Sequence, residues 1–335
     1  MVFLIQQTML YAVPLMIVAL AGVCAERSGV INLALEGIMI FGAFMGVIFI
    51  RMFQGMGFTA DQGQLVMILA MLLTGICGVG FSMLLAFSAI NLRADQTIGG
   101  TALNMLAPAV VLFFIYMIAQ QNTLGMATGS AAGWFMVRPS TFGLPKDYSW
   151  GALIDLFINK VYPSTYVCIL IFVAVSIFLY KTKTGMRLRS CGENPQAADS
   201  LGINVYKMRY LGVGLSGFLA GVGGYVYSMT TANCTSTGEV AGYGFLALAV
   251  MIFGNWKPLN IAGASILFGL FKCIAASYAS LDINGDGVYA LANIGISPHF
   301  YRMLPYLITI IVLAFTSKSS RAPKAEGIPY DKSTR

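Results

Sequence analysis

Apolar runs of bilayer length alternate along this chain with short polar interruptions. A hydrocarbon core needs about 20 apolar residues per crossing helix. Nine segments read as candidates: Phe3–Cys24, Val30–Ile50, Leu65–Ile90, Gly99–Ala119, Tyr162–Tyr180, Met208–Met229, Gly242–Gly254, Leu259–Ala279 and Met303–Phe315. The seventh and ninth are short, and Asn32, Glu36 and Gly37 interrupt the second. The first has no basic stretch before it and is too long for a signal peptide, so it reads as a retained span. The predicted architecture is all-α: a polytopic membrane helix bundle of about nine spans with interrupted helices. Residues 1–317 form the transmembrane domain, and residues 318–335 are expected to be a flexible tail.

One polar island breaks the pattern. "SCGENPQAADSLGINVYKMR" (Ser190–Arg209) lies between two oily segments. Asn194 is a good N-cap, because its side chain accepts from an orphan backbone N–H. Pro195 follows at the first helical position, where a missing N–H costs nothing. Gly202 stands where a helix ends in the left-handed conformation. The stretch therefore predicts a short, doubly capped helix with no core of its own nearby in sequence.

Composition agrees with the pattern. The chain has 335 residues, and its charged fraction is 10%, against about 25% in soluble domains. Its mean hydropathy is +0.78. The net charge of +7 does not point to nucleic acid, because the basic residues cluster by position between spans. Lys181, Lys183, Arg187, Arg189, Lys207 and Arg209 fill the 181–209 loop, and Lys318, Arg321 and Lys324 lie in the tail. Both are expected to be cytoplasmic, and the four spans between them make the two assignments consistent. The N-terminus and the 120–161 and 281–302 loops then lie outside, with Trp134, Tyr148 and Trp150 along the outer interface. The six cysteines show no CxxC spacing, and most lie in apolar runs, so neither a disulfide framework nor a zinc site is expected.

Candidate chemistry is sparse. Glu36 is the one carboxylate read well inside a span, where an ionisable side chain is expensive and by default functional. It either lines a substrate pathway or serves the fold, paired with Arg27 or capping a half-helix from another span. Thr101 and Asn104 are three residues apart and share a helix face. They can bind a polar ligand or hold helices together. "LALEGIMIFG" (Leu33–Gly42) and "LALAVMIFG" (Leu246–Gly254) align with one gap and run in opposite senses in the predicted topology, as inverted repeats do around transport sites. That places Asn32, Tyr243 and Phe245 beside the pathway with Glu36, Thr101 and Asn104. In the sixth span Gly212, Ser216, Ala220 and Gly224 recur every four residues, with Gly217 and Gly221 in a second row, which reads as close helix packing. "DINGDG" (Asp282–Gly287) mimics a calcium loop, but position twelve is Asn293 rather than Glu, so it reads as a polar turn. His299, the single histidine, has no partner for catalysis, and the chain carries no GxxxxGK[ST] phosphate loop.

"GENPQAADSLGI" resembles the cytoplasmic coupling loop of ABC importer permeases in the branched-chain amino acid, ribose and nucleoside superfamily. "ERSGVINLALEGIMIFGAF" (Glu26–Phe44), "GYGFLALAVMIFGNWKPLNIAGASILFG" (Gly242–Gly269) and "RADQTIGGTALNMLAP" (Arg93–Pro108) are similar to stretches of its nucleoside and simple-sugar subgroup, most like the shorter nucleoside permease. The resemblance covers Leu10–Phe315. It implies half of a translocation path for nucleosides in a bacterial cytoplasmic membrane and no covalent chemistry in this chain. It implies a second, paralogous permease, a separate ATPase that binds the ATP and magnesium, and an external lipoprotein that captures substrate. Glu193, Asn194, Pro195, Ala197, Ala198, Leu201 and Gly202 would then dock the ATPase. The alternatives are the same machine for a simple sugar or branched-chain amino acid, and an ion-coupled secondary transporter. A single intramembrane carboxylate, an odd span count and the capped helix speak against the latter.

Overall fold

Among the described residues of the computed structural model every regular element is helical, apart from two isolated β-bridges at Leu124–Ser236 and Val137–Val161. The structure describes residues 2–138, 151, 157–279, 297–316 and 321–332. Tyr148, Trp150, the Asp282–Gly287 motif and Asn293 lie outside them.

The helices are α1 (Val2–Glu26), α2 (Leu35–Gly55), α3 (Gly63–Ala86), α4 (Gln96–Ala119), α5 (Ala131–Phe135), α6 (Pro163–Lys181), α7 (Lys183–Glu193), α8 (Pro195–Ser200), α9 (Val205–Thr230), α10 (Tyr243–Phe253), α11 (Pro258–Ser277) and α12 (Pro298–Thr316). Seven among the described residues are long and apolar enough to cross a membrane, and α10 is a shorter apolar helix. The expected ninth span falls within α12, whose first turn holds His299. The chain is an all-α, polytopic membrane bundle, as its pattern predicts.

α9 is the axis. Lipid tails are as apolar as leucine, so helices in a membrane associate through close packing and hydrogen bonds rather than a hydrophobic drive. The small residues of its two rows bring in three neighbouring helices. Gly212 lies against Cys24 and Ser28, and Gly224 against the backbone of Met39, which brings in α1 and α2. Gly217 meets Gly78 and Ser82, and Gly221 meets Gly78 and Thr74, which brings in α3. A methyl group on Gly221 would sit 2.8 Å from the Thr74 carbonyl oxygen. Large apolar residues of α4, among them Met105, Phe113 and Tyr116, remain exposed, so α4 turns a broad face outward.

The second predicted span is shorter than its apolar run. Helix α2 begins at Leu35 rather than at Val30, and residues Val30–Ala34 are non-helical chain in which Val30, Asn32 and Ala34 are buried. At the membrane's depth such backbone survives only inside protein, where other groups satisfy it. Here the Gln96 side chain accepts the Ile31 N–H at 2.7 Å and Asn32 accepts the Ala34 N–H at 3.1 Å.

The tail is also corrected. Residues 321–332 do not trail free but lie across the basic end of the bundle. The Ala325 N–H donates to the Gly192 carbonyl at 2.9 Å, and the buried Tyr330 stacks edge-on against Tyr206. Arg93 pairs with Asp331 at 2.5 Å. No run of apolar residues marks this segment in sequence, and its docking surface is assembled from α7, α9 and the loop before α4, which are distant in sequence.

Candidate translocation site and docking helix

Asn32 anchors the break before α2. Its amide nitrogen donates to the Ser216 hydroxyl at 2.8 Å, while its oxygen takes the Ala34 N–H. Asn104 closes the other side. Its amide donates to the Leu33 carbonyl at 2.7 Å and its oxygen accepts the Gly37 N–H at 2.8 Å. Both asparagines therefore replace helical hydrogen bonds that the interrupted chain lacks. Gly37 is required at that point, since an added Cβ would lie 2.8 Å from the Leu103 carbonyl oxygen. Thr101 does not join them. It is exposed, and its hydroxyl folds back onto the Thr97 and Ile98 carbonyls of its own helix.

Glu36 does not pair with Arg27, which instead bridges to Glu193 at 3.3 Å. Its buried carboxylate caps α10. Oε1 accepts the Gly242 N–H at 3.0 Å, and Oε2 accepts those of Gly244 at 2.5 Å and Phe245 at 3.4 Å. Glu36 also sits in the first turn of its own helix. One carboxylate thus faces the positive ends of two helices, where negative charge is favoured. The two helices that carry the echoing segments meet at their starts, just before Leu246, and Gly244 is pressed against the Glu36 backbone.

The chain turns sharply to reach this point. Ala241 and Gly242 both adopt left-handed conformations, with φ of 50° and 71°. Tyr243 is buried with its ring 4.8 Å from that of Tyr227, while Phe245 is 52% exposed. Lys272 of α11 completes the break. Its ammonium donates to the Ala241 carbonyl at 3.0 Å and lies 4.9 Å from the Tyr243 ring centre. Sequence reasoning missed this lysine, although a lone cation inside an apolar span is the same signal that marked Glu36.

On the basic face, Asn194 caps α8 as its sequence predicts, accepting the Ala197 N–H at 3.0 Å. Pro195 opens the helix and Gly202 follows it at φ 78°. A second helix, α7, leads into it. The expectation that α8 has no core is corrected: Ala198 is 2% exposed and packs with Cys191, Val205 and Tyr330. Ala198 therefore cannot face a docking partner. Ala197, Ser200 and Leu201 do lie outward, Leu201 at 81% exposure, and Glu193 is exposed beside them in its bridge to Arg27. Nearby, Glu326 of the tail hydrogen-bonds Glu26, and burial pushes the Glu326 carboxyl up to about 7. Among the described residues no three His, Cys, Asp or Glu side chains gather as a metal site, and all six cysteines are free.

Residues 4–313 match the family described as branched-chain amino acid transport system / permease component. The chain is 38% identical over 330 residues to the nucleoside ABC transporter permease protein NupC of Lactococcus lactis, covering 98% of this chain and 97% of that one. It is also 38% identical to the guanosine ABC transporter permease protein NupQ of Bacillus subtilis, over 99% of this chain and 97% of that one. A second Lactococcus lactis protein, the nucleoside ABC transporter permease protein NupB, is 24% identical over 96% of this chain and 82% of its own. No solved structure matches the chain.

Proposed function

This chain belongs to the family of branched-chain amino acid transport system permease components, and we propose that within it the chain is the permease subunit of an ATP-driven nucleoside importer. The observation that carries the reading is its likeness, over nearly its whole length, to two permeases named for nucleosides and guanosine. The chain supplies half of a translocation path, and a paralogous permease supplies the other half. The occurrence of two such permeases, NupB and NupC, in one Lactococcus strain supports a pair. A separate ATPase binds ATP with magnesium and takes the outward face of α8 into a groove. An external lipoprotein delivers the nucleoside. The complex sits in the cytoplasmic membrane of a bacterium with its basic face inward, by the rule that lysine and arginine collect on the cytoplasmic side.

The break at Glu36 and Gly242 fits this role. A helix interrupted inside the bundle leaves backbone groups and a charge where a polar solute must pass, and it can re-form its hydrogen bonds when neighbouring helices shift. The experiment is reconstitution of the whole complex in proteoliposomes with the ATPase and binding lipoprotein. ATP-dependent uptake of labelled guanosine, competed by other nucleosides and not by glucose or leucine, is expected. Uptake of leucine or glucose without guanosine uptake would overturn the substrate assignment. ATP-independent uptake driven by an ion gradient would overturn the machine.

A further inference from the structure

The basic end of the bundle holds a cleft of about 870 Å³ that the transport reading does not use. Four segments far apart in sequence meet there. Arg27 comes from the turn after α1, Glu193 from the end of α7, Asn255 and Lys257 from the turn between α10 and α11, and Arg321 and Lys324 from the tail. The tail is pinned on either side of Lys324. The Arg321 N–H donates to Asn255 Oδ1 at 2.9 Å, and the Ala325 N–H donates to the Gly192 carbonyl at 2.9 Å. The cleft is therefore walled by folded chain.

Its charge is lopsided. Four cations line it against one carboxylate, Glu193, and Arg27 bridges to that one at 3.3 Å. Lys257, Arg321 and Lys324 are exposed and make no ion pair among the described residues. Glu26 and Glu326 act on Arg27 without lining the cleft, and they hydrogen-bond one another. Such a bond between carboxyls requires a shared proton, so the pair brings one negative charge rather than two. The excess stays positive. Collection of lysine and arginine on one side of a membrane accounts for their presence at this end. It does not account for their convergence, because like charges on an open surface lower their energy by spreading apart. In a cleft walled by protein they focus a positive field, which a bound anion relieves.

We propose that this cleft binds a phosphate group. A phosphate presents several acceptor oxygens and up to two negative charges, so it takes donors from Lys257, Arg321 and Lys324 together. Two sources can supply that group. The cleft lies where α1 ends and α11 begins, the level at which an anionic lipid headgroup sits, and it is also open to soluble phosphate compounds. The same tail packs Tyr330 against Ala198, so an anion that holds the tail also steadies α8. Placement of the site on the cytoplasmic side rests on the orientation proposed above; phosphate binding itself does not.

The test uses the assembled complex with its ATPase, so that a cleft covered by a partner is scored as closed. In one arm the complex is purified from membranes containing phosphatidylglycerol, and native mass spectrometry counts the lipid retained. In the other, the complex in phosphatidylcholine nanodiscs is titrated calorimetrically with inorganic pyrophosphate. Lys257→Gln with Lys324→Gln removes two cations of the cleft. Lys183→Gln with Arg187→Gln removes two exposed cations of α7 that do not line it. Both double variants are expected to unfold at the wild-type temperature. The cleft variant is expected to lose the retained lipid or to bind pyrophosphate about tenfold or more weakly, the worth of a lost hydrogen bond from a charged donor. The α7 variant, and Lys257→Arg with Lys324→Arg, are expected to bind as wild type does. A loss confined to the first arm identifies a lipid headgroup, and one confined to the second a soluble phosphate. Pyrophosphate held by the ATPase is common to all variants and subtracts. Unchanged binding in the cleft variant, or equal losses in the cleft and α7 variants, would overturn the site and leave a diffuse positive face. A wild-type complex that binds neither probe would also overturn it.

Discussion

Replacing Glu36 by glutamine tests the central joint of the structure. Glutamine keeps the size and one acceptor oxygen but turns the other into an NH₂ group, which cannot accept. Three N–H groups now share the carboxylate, at 3.0, 2.5 and 3.4 Å. In the best orientation the amide oxygen stays with Gly244 and Phe245, and the Gly242 N–H faces a donor. A buried N–H left without an acceptor costs about 1–3 kcal/mol. Loss of negative charge from two helix N-termini adds about 0.3–1 kcal/mol each. Relief from burying the charge works the other way, so the net expectation is about 2 kcal/mol or somewhat more. At about 1.4 kcal/mol per factor of ten, the first turn of α10 should open roughly 30-fold more often. Backbone hydrogen exchange in peptides covering residues 242–250 reads that opening directly. Peptides from α3, remote from the joint, should exchange as in wild type. Unchanged exchange at residues 242–250 would refute the claim that Glu36 holds this helix start.

Leu201→Asp should leave the permease assembled but strip the ATPase from it in co-purification, whereas Ala198→Arg should abolish assembly, because it buries an unpaired charge against Cys191, Val205 and Tyr330. Retention of the ATPase by Leu201→Asp would remove the outward face of α8 from the docking surface. The tail's grip should depend on pH. Glu326 titrates at about 7 when docked, against an ordinary 4.5, so the docked tail holds its proton more tightly than the free tail does. The resulting stabilisation is full below about 4.5 and is lost as pH rises through 7. A spin label at residue 332 should therefore gain mobility between pH 5.5 and 8.5, and Glu326→Gln should reduce that change, leaving what the neighbouring buried Glu26 contributes; mobility independent of pH in the parent would count against it. Gly221→Ala places a Cβ 2.8 Å from the Thr74 oxygen and 3.1 Å from Gly78 Cα, an overpacking worth about 1–3 kcal/mol. A complex that melts at the wild-type temperature would show that α9 and α3 are not held at this distance.

The sequence by itself determined the class of molecule. Apolar runs of bilayer length are a one-dimensional signal, because a spanning helix must satisfy its own backbone and present oil over a fixed thickness. The caps of α8 were legible for a similar reason: Asn194, Pro195 and Gly202 act within a few residues of themselves. The small residues of the sixth span announced close packing, but only the fold showed which of them meets α1, α2 and α3. The same limit governs the site. Glu36 was conspicuous as a charge in an apolar run, yet its partners lie about two hundred positions along the chain, at Gly242 and Gly244. Asn104 acts on Leu33 and Gly37, 71 and 67 positions before it, and Tyr330 covers Ala198 from still farther along the chain. Lys272 carries the same signal as Glu36, a charge inside an apolar run, but the turn it holds, at Ala241, comes from another part of the chain. Periodicity and capping are set by neighbours along the chain. Which backbone groups an interrupted helix leaves open, and which side chains reach them, is decided by tertiary packing alone.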